Sequence, residues 1–519
     1  MTKPQKDNLF VLIRSLTKSE KRQFKLYIGR LGVNEDSKFL LLFKVLEKLK
    51  IYDERAILKE GFVKKQQLSN LKAHLYKQIL ISLRLNPSHQ NLRIQLREQL
   101  DFATILYHKG LYKQSLKILD KAKSLAITHQ EKNIGYEIVE LEKVIESQYI
   151  TRSLSSRADA LTLQAETLSR QNLIASKLSN LSLQLYGLFL KTGYVKNDLE
   201  YQNVKEYFNK RMPNFEISEL GFREKLWLYK SYLWYSFLVQ DFKSCYKYSR
   251  KWVDLFHDNE DMIRLNPVFF LRGYQYLLEA LFFIKNHKKF KNTLHKLEAM
   301  IQKPWFPHDE NIDGLIFLYV YSNKFNLHFI QGDFKKGLPL VDEVVRGLKL
   351  HSNQIDEHHV MVFYYKIASL YFGMEDYDNA IKYLSKIITN KSLQMREDLL
   401  CFSRILNLVA HFEAGEDFDF DRLIKNTYKY LIKMEDVYAV QQEMVNFLRG
   451  LGDIYPHQLK AAFKALHAKL VVYENHPYER RAFLYLDIIS WLESKIENKS
   501  TADIIKEKFS KSNNFIYLF

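Results

Sequence analysis

Residues 364–387 read YYKIASLYFGMEDYDNAIKYLSKI. Tyr364, Ile367, Ala368 and Tyr371 fall at i, i+3, i+4 and i+7, the spacing that places side chains on one face of an α-helix. Asp376 and Tyr377 interrupt that register, and Tyr377, Ala380, Leu384 and Ile387 then resume a helical stripe. The stretch predicts two helices joined by a short turn, each with one apolar face. An α-α hairpin of this size cannot bury both faces alone, so further copies are expected beside it.

The arrangement of turn, aromatic, small residue and apolar residue recurs. It is found at Gly110-Leu-Tyr112 with Ser115 and Leu119, at Asp241-Phe242 with Cys245, and at Lys289-Phe290 with Thr293 and Leu297. It returns at Gly332-Asp333-Phe334 with Gly337 and Val341, and more weakly at Gly415-Glu-Asp417-Phe418. The turn aromatics therefore stand at 112, 242, 290, 334, 377 and 418, and the last four gaps are 48, 44, 43 and 41 residues. The first gap, 130 residues, is close to three such periods. Two degenerate copies are expected inside it, with turns near Thr151 to Ser156 and at Thr192-Gly193-Tyr194.

These residues resemble the tetratricopeptide repeat (TPR) superfamily, in which small residues let paired helices approach and aromatics fill the gap to the next pair. The period here is about 43 rather than 34, Ser392 stands where the family's terminal Pro would fall, and Cys245 and Thr293 replace a small residue. The resemblance covers roughly residues 88–475. It implies an all-α fold, a right-handed α-α superhelix or TPR-like solenoid of about eight or nine hairpins. It also implies a concave groove, lined by the first helix of each hairpin, that takes a protein or peptide.

Composition agrees with long helices. Of 519 residues only 17 are Gly and 9 are Pro, against ordinary shares of roughly 7% and 5%, and turn-rich β folds need both. With 47% hydrophobic residues the chain can build a large core, which excludes disordered and collagen-like classes. The two cysteines, Cys245 and Cys401, support no disulfide framework or zinc cluster and read as free thiols in a reducing compartment. The longest charge-free run, Leu178 to Leu190, is 13 residues, short of the roughly 20 that span a bilayer. No signal-peptide core is present in residues 1–16. A cytoplasmic protein without a membrane span is expected.

Charge is unevenly placed. Residues 1–87 hold 19 Lys/Arg and 8 Asp/Glu, a balance of +11 out of +18 for the whole chain. They read as a small basic helical N-terminal unit. Thr17-Lys18-Ser19-Glu20 is a capping box, followed by the apolar stripe Phe24, Tyr27, Ile28 and Leu31. Helices are expected at about 37–50 and 53–60, with Gly61 ending the second, and at about 64–85. Asn86-Pro87 closes the unit. Residues 476–519 are expected as C-terminal capping helices and an apolar tail, Phe515 to Phe519, either folded back or serving as a docking peptide.

No catalytic pattern is found. Gly332 to Gly337 has a P-loop gap but neither the following Lys-Ser/Thr nor a preceding strand, and Gly450-Leu-Gly452 lacks the third Gly of a dinucleotide fingerprint. Glu357-His358-His359 places two His about 100° apart on a helix and reads as a solvated helix start. Asp417, Asp419 and Asp421 read as helix N-terminal charges. No enzyme, cofactor or metal is expected.

Two binding surfaces remain. Projecting the first helix of each copy outward from its turn gives Trp227, Lys230, Trp234, Gln275, Lys285, Tyr319, Asn323, Asn326 and Tyr365 as partner-groove residues. An aromatic and amide groove with scattered Lys suits a peptide. No copy carries both the Lys and the Asn that clamp a carboxylate in some TPR modules, so that clamp is not carried over. The second surface is a basic patch of Lys18, Lys21, Arg22 and Lys25, with Lys64, Lys65, Lys72, Lys77 and Arg84 on a later helix. It reads as a solvated face, a nucleic-acid contact, or a site for an acidic protein partner or an anionic membrane surface. The expected function is a non-enzymatic scaffold or adaptor for a protein or peptide. The alternative is a nucleic-acid-associated or regulatory protein.

Overall fold

The computed structural model describes residues 7–32, 37–86, 89, 91–148, 156–390, 397–415, 420–433, 439–450, 454–479, 483 and 487–515. Among these residues the fold is all-α, without strands. It divides into two compact units, residues 1–169 and 170–519. The turns expected near 151 and at 417–418, Ser392, Pro87 and the residues beyond Phe515 lie outside the described residues.

The first unit opens with α1 (Asn8–Ser15), α2 (Lys18–Arg30), α3 (Lys38–Lys48), α4 (Glu54–Lys59) and α5 (Lys65–Arg84). The expected capping box starts α2: Glu20 N–H donates to Thr17 Oγ1 at 3.2 Å, and Thr17 N–H donates to Glu20 Oε2 at 2.7 Å. Phe24 and Ile28 of its stripe are buried, and Phe24 packs on Phe43 with ring centroids 4.9 Å apart. Leu31, expected in the same stripe, is exposed because α2 ends one residue before it. Next come α6 (Leu92–His108), α7 (Tyr112–Thr128) and α8 (Lys132–Gln148), which share a core of Leu96, Leu116, Leu119, Ile134 and Ile138. Glu142 is fully buried on α8 beside Lys123 at 2.5 Å and Arg157 at 3.4 Å. The unit boundary falls inside α9 (Arg157–Thr192), a continuous helix of 36 residues.

The second unit continues with α10 (Asp198–Arg211), α11 (Phe222–Leu238), α12 (Phe242–His257) and α13 (Asp261–Leu265). Then follow α14 (Pro267–Phe283), α15 (His287–Ile301), α16 (Glu310–Gln331), α17 (Phe334–Gly337) and α18 (Pro339–Leu350). The rest are α19 (Glu357–Gly373), α20 (Tyr377–Ile388), α21 (Glu397–Ala414), α22 (Phe420–Lys433), α23 (Ala439–Gly450), α24 (Leu459–Val471), α25 (Ile488–Glu497) and α26 (Thr501–Phe515). Helices pack in adjacent pairs: α11 with α12, α14 with α15, α19 with α20 and α21 with α22. Pro339 lacks the amide that would continue the ladder, which splits the helix that follows α16 and packs on it into α17 and α18.

One turn recurs through the pairs. A residue in the left-handed conformation follows the first helix: Gly110, Gln240, Lys285, Gly332 and Glu375, with φ between 54° and 73°. The next amide reaches back five residues to a carbonyl, as from Asp241 to Ser236 at 2.9 Å, Asn286 to Leu281 at 3.0 Å and Asp376 to Tyr371 at 3.0 Å. This satisfies carbonyls that the helix end leaves open. At three of these turns the residue after the left-handed one is an Asp or Asn whose side chain caps the second helix: Asp241 on Ser244 N–H, Asn286 on Lys289 N–H and Asp376 on Asn379 N–H. Sequence reading anchored the third copy on Phe290. In the structure its second helix starts at His287, three residues earlier. The turn expected at Gly193 is present, with φ of 71°.

Residues after α24 return across these turns. Gln240 Nε2 donates to Tyr478 O at 3.2 Å, Lys285 pairs with Glu474 at 3.0 Å, and Tyr478 Oη donates to Asp198 at 2.6 Å. Helix α26 packs on α16, and Ala502 and Ile505 join the core around Phe334. The C-terminal residues, expected as capping helices, thus also tie down three consecutive hairpin turns. No helix among the described residues is long and apolar enough to cross a membrane.

Candidate partner-binding surfaces

Counting back from the left-handed turn residue puts the first helices of the second unit in register. Trp227, Arg272 and Tyr319 each lie 13 residues before that turn, and Asn323 and Lys366 each lie 9 before theirs. They come together on one face of α11, α14, α16 and α19. Trp227 packs edge-on against Phe269 at 5.5 Å, and Lys230 Nζ sits over both rings, 4.8 Å from the Trp227 centroid and 5.9 Å from that of Phe269. Arg272 is exposed, and its guanidinium lies near the Tyr319 hydroxyl, which it favours in the ionised form. Asn323 Nδ2 donates to Gln275 Oε1 at 2.7 Å and to Tyr319 O at 2.8 Å, and Asn326 Nδ2 donates to Asn323 Oδ1 at 3.4 Å. Lys366 Nζ donates to Asn326 Oδ1. The face is a continuous polar ladder across three packed helices.

Its electrostatics are lopsided. No carboxylate among the described residues lies within 4 Å of the Lys230 or Lys366 amine. Burial pushes Lys230 down to about 8, and repulsion from Arg272 acts in the same direction. Burial brings Lys366 down to about 8, against the attraction of Glu279. The hydroxyls of Tyr276 and Tyr319 are raised by the same desolvation.

Six of the nine groove residues named from the sequence meet here: Trp227, Lys230, Gln275, Tyr319, Asn323 and Asn326. Trp234, expected to face outward, is buried among Tyr186, Phe189 and Tyr276, because it lies where α11 meets its neighbours. Tyr365 is buried in the core of α19 to α21, and the next residue, Lys366, takes the face instead, about 100° around the helix. Lys285 belongs to a turn and pairs with Glu474. Arg272, Lys366 and Glu279 were missed. The register of the turns would have found them, but only Gly110 and Gly332 advertise those turns in the sequence.

In the first unit the basic patch is partly neutralised. Lys21 and Lys25 share Glu47 at 3.5 and 3.3 Å, Lys72 pairs with Asp7 at 2.9 Å and also donates to the Tyr52 hydroxyl, and Arg84 pairs with Asp101 at 3.2 Å. Lys18, Arg22, Lys64, Lys65 and Lys77 are exposed, and no carboxylate among the described residues lies within 4 Å of them. The stripe Lys18, Lys21, Arg22 and Lys25 lies on α2, and the other five residues lie on α5 or its N-cap. Asp356 organises the His358-His359 helix start: it caps His359 N–H at 2.9 Å and binds its ring at 2.7 Å.

No family model matches this sequence, and no curated protein or solved structure is significantly similar to it.

Proposed function

We propose that the chain is a non-enzymatic, cytoplasmic adaptor whose TPR-like hairpins form a right-handed superhelix. Its partner is a protein or peptide segment held on the first-helix face of residues 170–519. The observation that carries this reading is the polar ladder from Arg272 through Gln275 and Asn323 to Lys366. A helix face that serves only packing is apolar. Here amides, a phenol and two half-buried amines occupy the face, and amides in a row suit the main chain of an extended segment. The buried thiols of Cys245 and Cys401, far apart in sequence, suit a reducing compartment.

The test is photo-crosslinking in cells. Benzoylphenylalanine at Arg272 should capture specific proteins that survive nuclease. The same group at Lys243, exposed on α12, should not. Equal capture from both positions, or none from Arg272, contradicts the reading.

A second reading uses the first unit. It is favoured by the exposed cations Lys18, Arg22, Lys64, Lys65 and Lys77, which suit a polyanion such as nucleic acid. Reversing Lys18, Lys21, Arg22 and Lys25 to Glu should then abolish nucleic-acid retention. Unchanged retention contradicts it.

A further inference from the structure

We infer that the segment taken on this face is acidic and extended, and that the side-chain carboxylates along it sit at Lys230, Arg272 and Lys366. This rests on the adaptor reading and deepens it. Three cations stand on three first helices. Two of their amines are half-buried with no carboxylate within 4 Å among the described residues, and the third cation is exposed to meet a ligand first. A half-withdrawn ammonium without a counter-ion is costly, and an arriving carboxylate removes that cost. Between the cations the partly exposed Gln275 and Asn326 amides face a peptide main chain, held in place by the wholly buried Asn323 between them.

A nucleic-acid backbone fits less well. Its charges follow one another without a break, whereas Arg272 on α14 and Lys366 on α19 have α16 between them, and Glu279 lies near Lys366. The site also differs from capture of a chain end. Its cations are distributed along the face rather than gathered at one point, so they read internal side chains.

The experiment is fluorescence anisotropy with the full chain and a labelled oligoglutamate whose ends are acetylated and amidated. Its only anions are then side chains. Oligoglutamine of equal length and oligouridine are the comparison probes. Oligoglutamate is expected to bind and oligoglutamine not. Arg272→Glu, at an exposed position that does not threaten the fold, should weaken binding on the order of tenfold or more. Lys230→Gln and Lys366→Met should each weaken it, and Lys243→Glu should leave it unchanged. Binding that survives Arg272→Glu but is lost on reversing Lys18, Lys21, Arg22 and Lys25 would overturn the inference, because the first unit would then be the acid-binding surface. So would preferential oligouridine binding that is lost in Arg272→Glu. If oligoglutamate fails to bind while crosslinking from Arg272 persists, the acidic ligand is wrong and the adaptor reading stands. If both fail, the face itself is not a binding site.

Discussion

Asn323 and Gln275 share a 2.7 Å hydrogen bond that joins α16 to α14, and Asn323 is wholly buried. Removing a buried amide strands the groups it bonds, here Gln275 Oε1 first among them. Asn323→Ala should therefore cost roughly 1–3 kcal/mol in denaturant unfolding. Replacing both residues with Leu removes both polar groups and should recover most of that loss. A double variant as unstable as the single one would show that the pair holds the fold rather than being tolerated by it.

Glycine positions separate close packing from open surface. A Cβ at Gly347 would lie 2.0 Å from the Phe317 ring, inside α18 where it crosses α16. Gly347→Ala should destabilise by about 1–3 kcal/mol or more, since the ring must move within a filled core. Gly29 lies within α2 with nothing near its absent Cβ, so Gly29→Ala should stabilise by roughly 0.5–1 kcal/mol. Thermal melts of the two variants should shift in opposite directions.

The C-terminal contacts make a third expectation. At Gly332 the backbone is left-handed, with φ of 67°, and a Cβ would lie 2.8 Å from the Ala502 carbonyl oxygen. Gly332→Ala is strained in its own turn and pushes α26 off α16. Hydrogen exchange should speed up in α26 and α16 together and remain unchanged in residues 1–169. Faster exchange confined to the turn would mean that α26 contributes little to holding the hairpins.

The depressed lysines give a pH dependence. Lys230 and Lys366 titrate near 8 in the folded chain and near 10.5 when unfolded, so between those values the unfolded chain holds more protons. Stability should rise with pH across that window, by on the order of 1–3 kcal/mol for the two amines together after solvent screening. The raised tyrosines oppose this only above about 10, where unfolded tyrosines begin to ionise. Denaturant titrations between these pH values should show the rise in the wild type and a smaller rise in the Lys230→Met/Lys366→Met variant. An identical rise in both would assign it elsewhere.

The helices were legible because their signals are local. The Thr17/Glu20 box, the stripe of Phe24, Tyr27 and Ile28 behind it, and the hairpin at 364–387 carry their period or cap in adjacent residues. The register of the face was only half legible. It is set by left-handed residues at Gln240, Lys285 and Glu375, side chains that give no hint of φ above zero, so Phe290 was mistaken for the start of its helix. Lys366 was missed by one residue for the same reason. The α9 helix hid differently: its 36 residues run unbroken up to the expected turn at Gly193, and no local signal announced one helix of that length. The ties from Tyr478 to Asp198 and from Gly332 to Ala502 join residues far apart in the chain, and no local pattern records them.

The central claim is that the first-helix face of residues 170–519 is kept polar for a partner, not for the fold. The most direct measurement compares the wild type with a chain carrying Lys230→Met, Gln275→Leu, Asn323→Leu and Lys366→Met, reading melting temperature and crosslinking from Arg272 side by side. The account predicts an equal or higher melting temperature with the crosslinked partner lost. A lower melting temperature with the partner retained would contradict it.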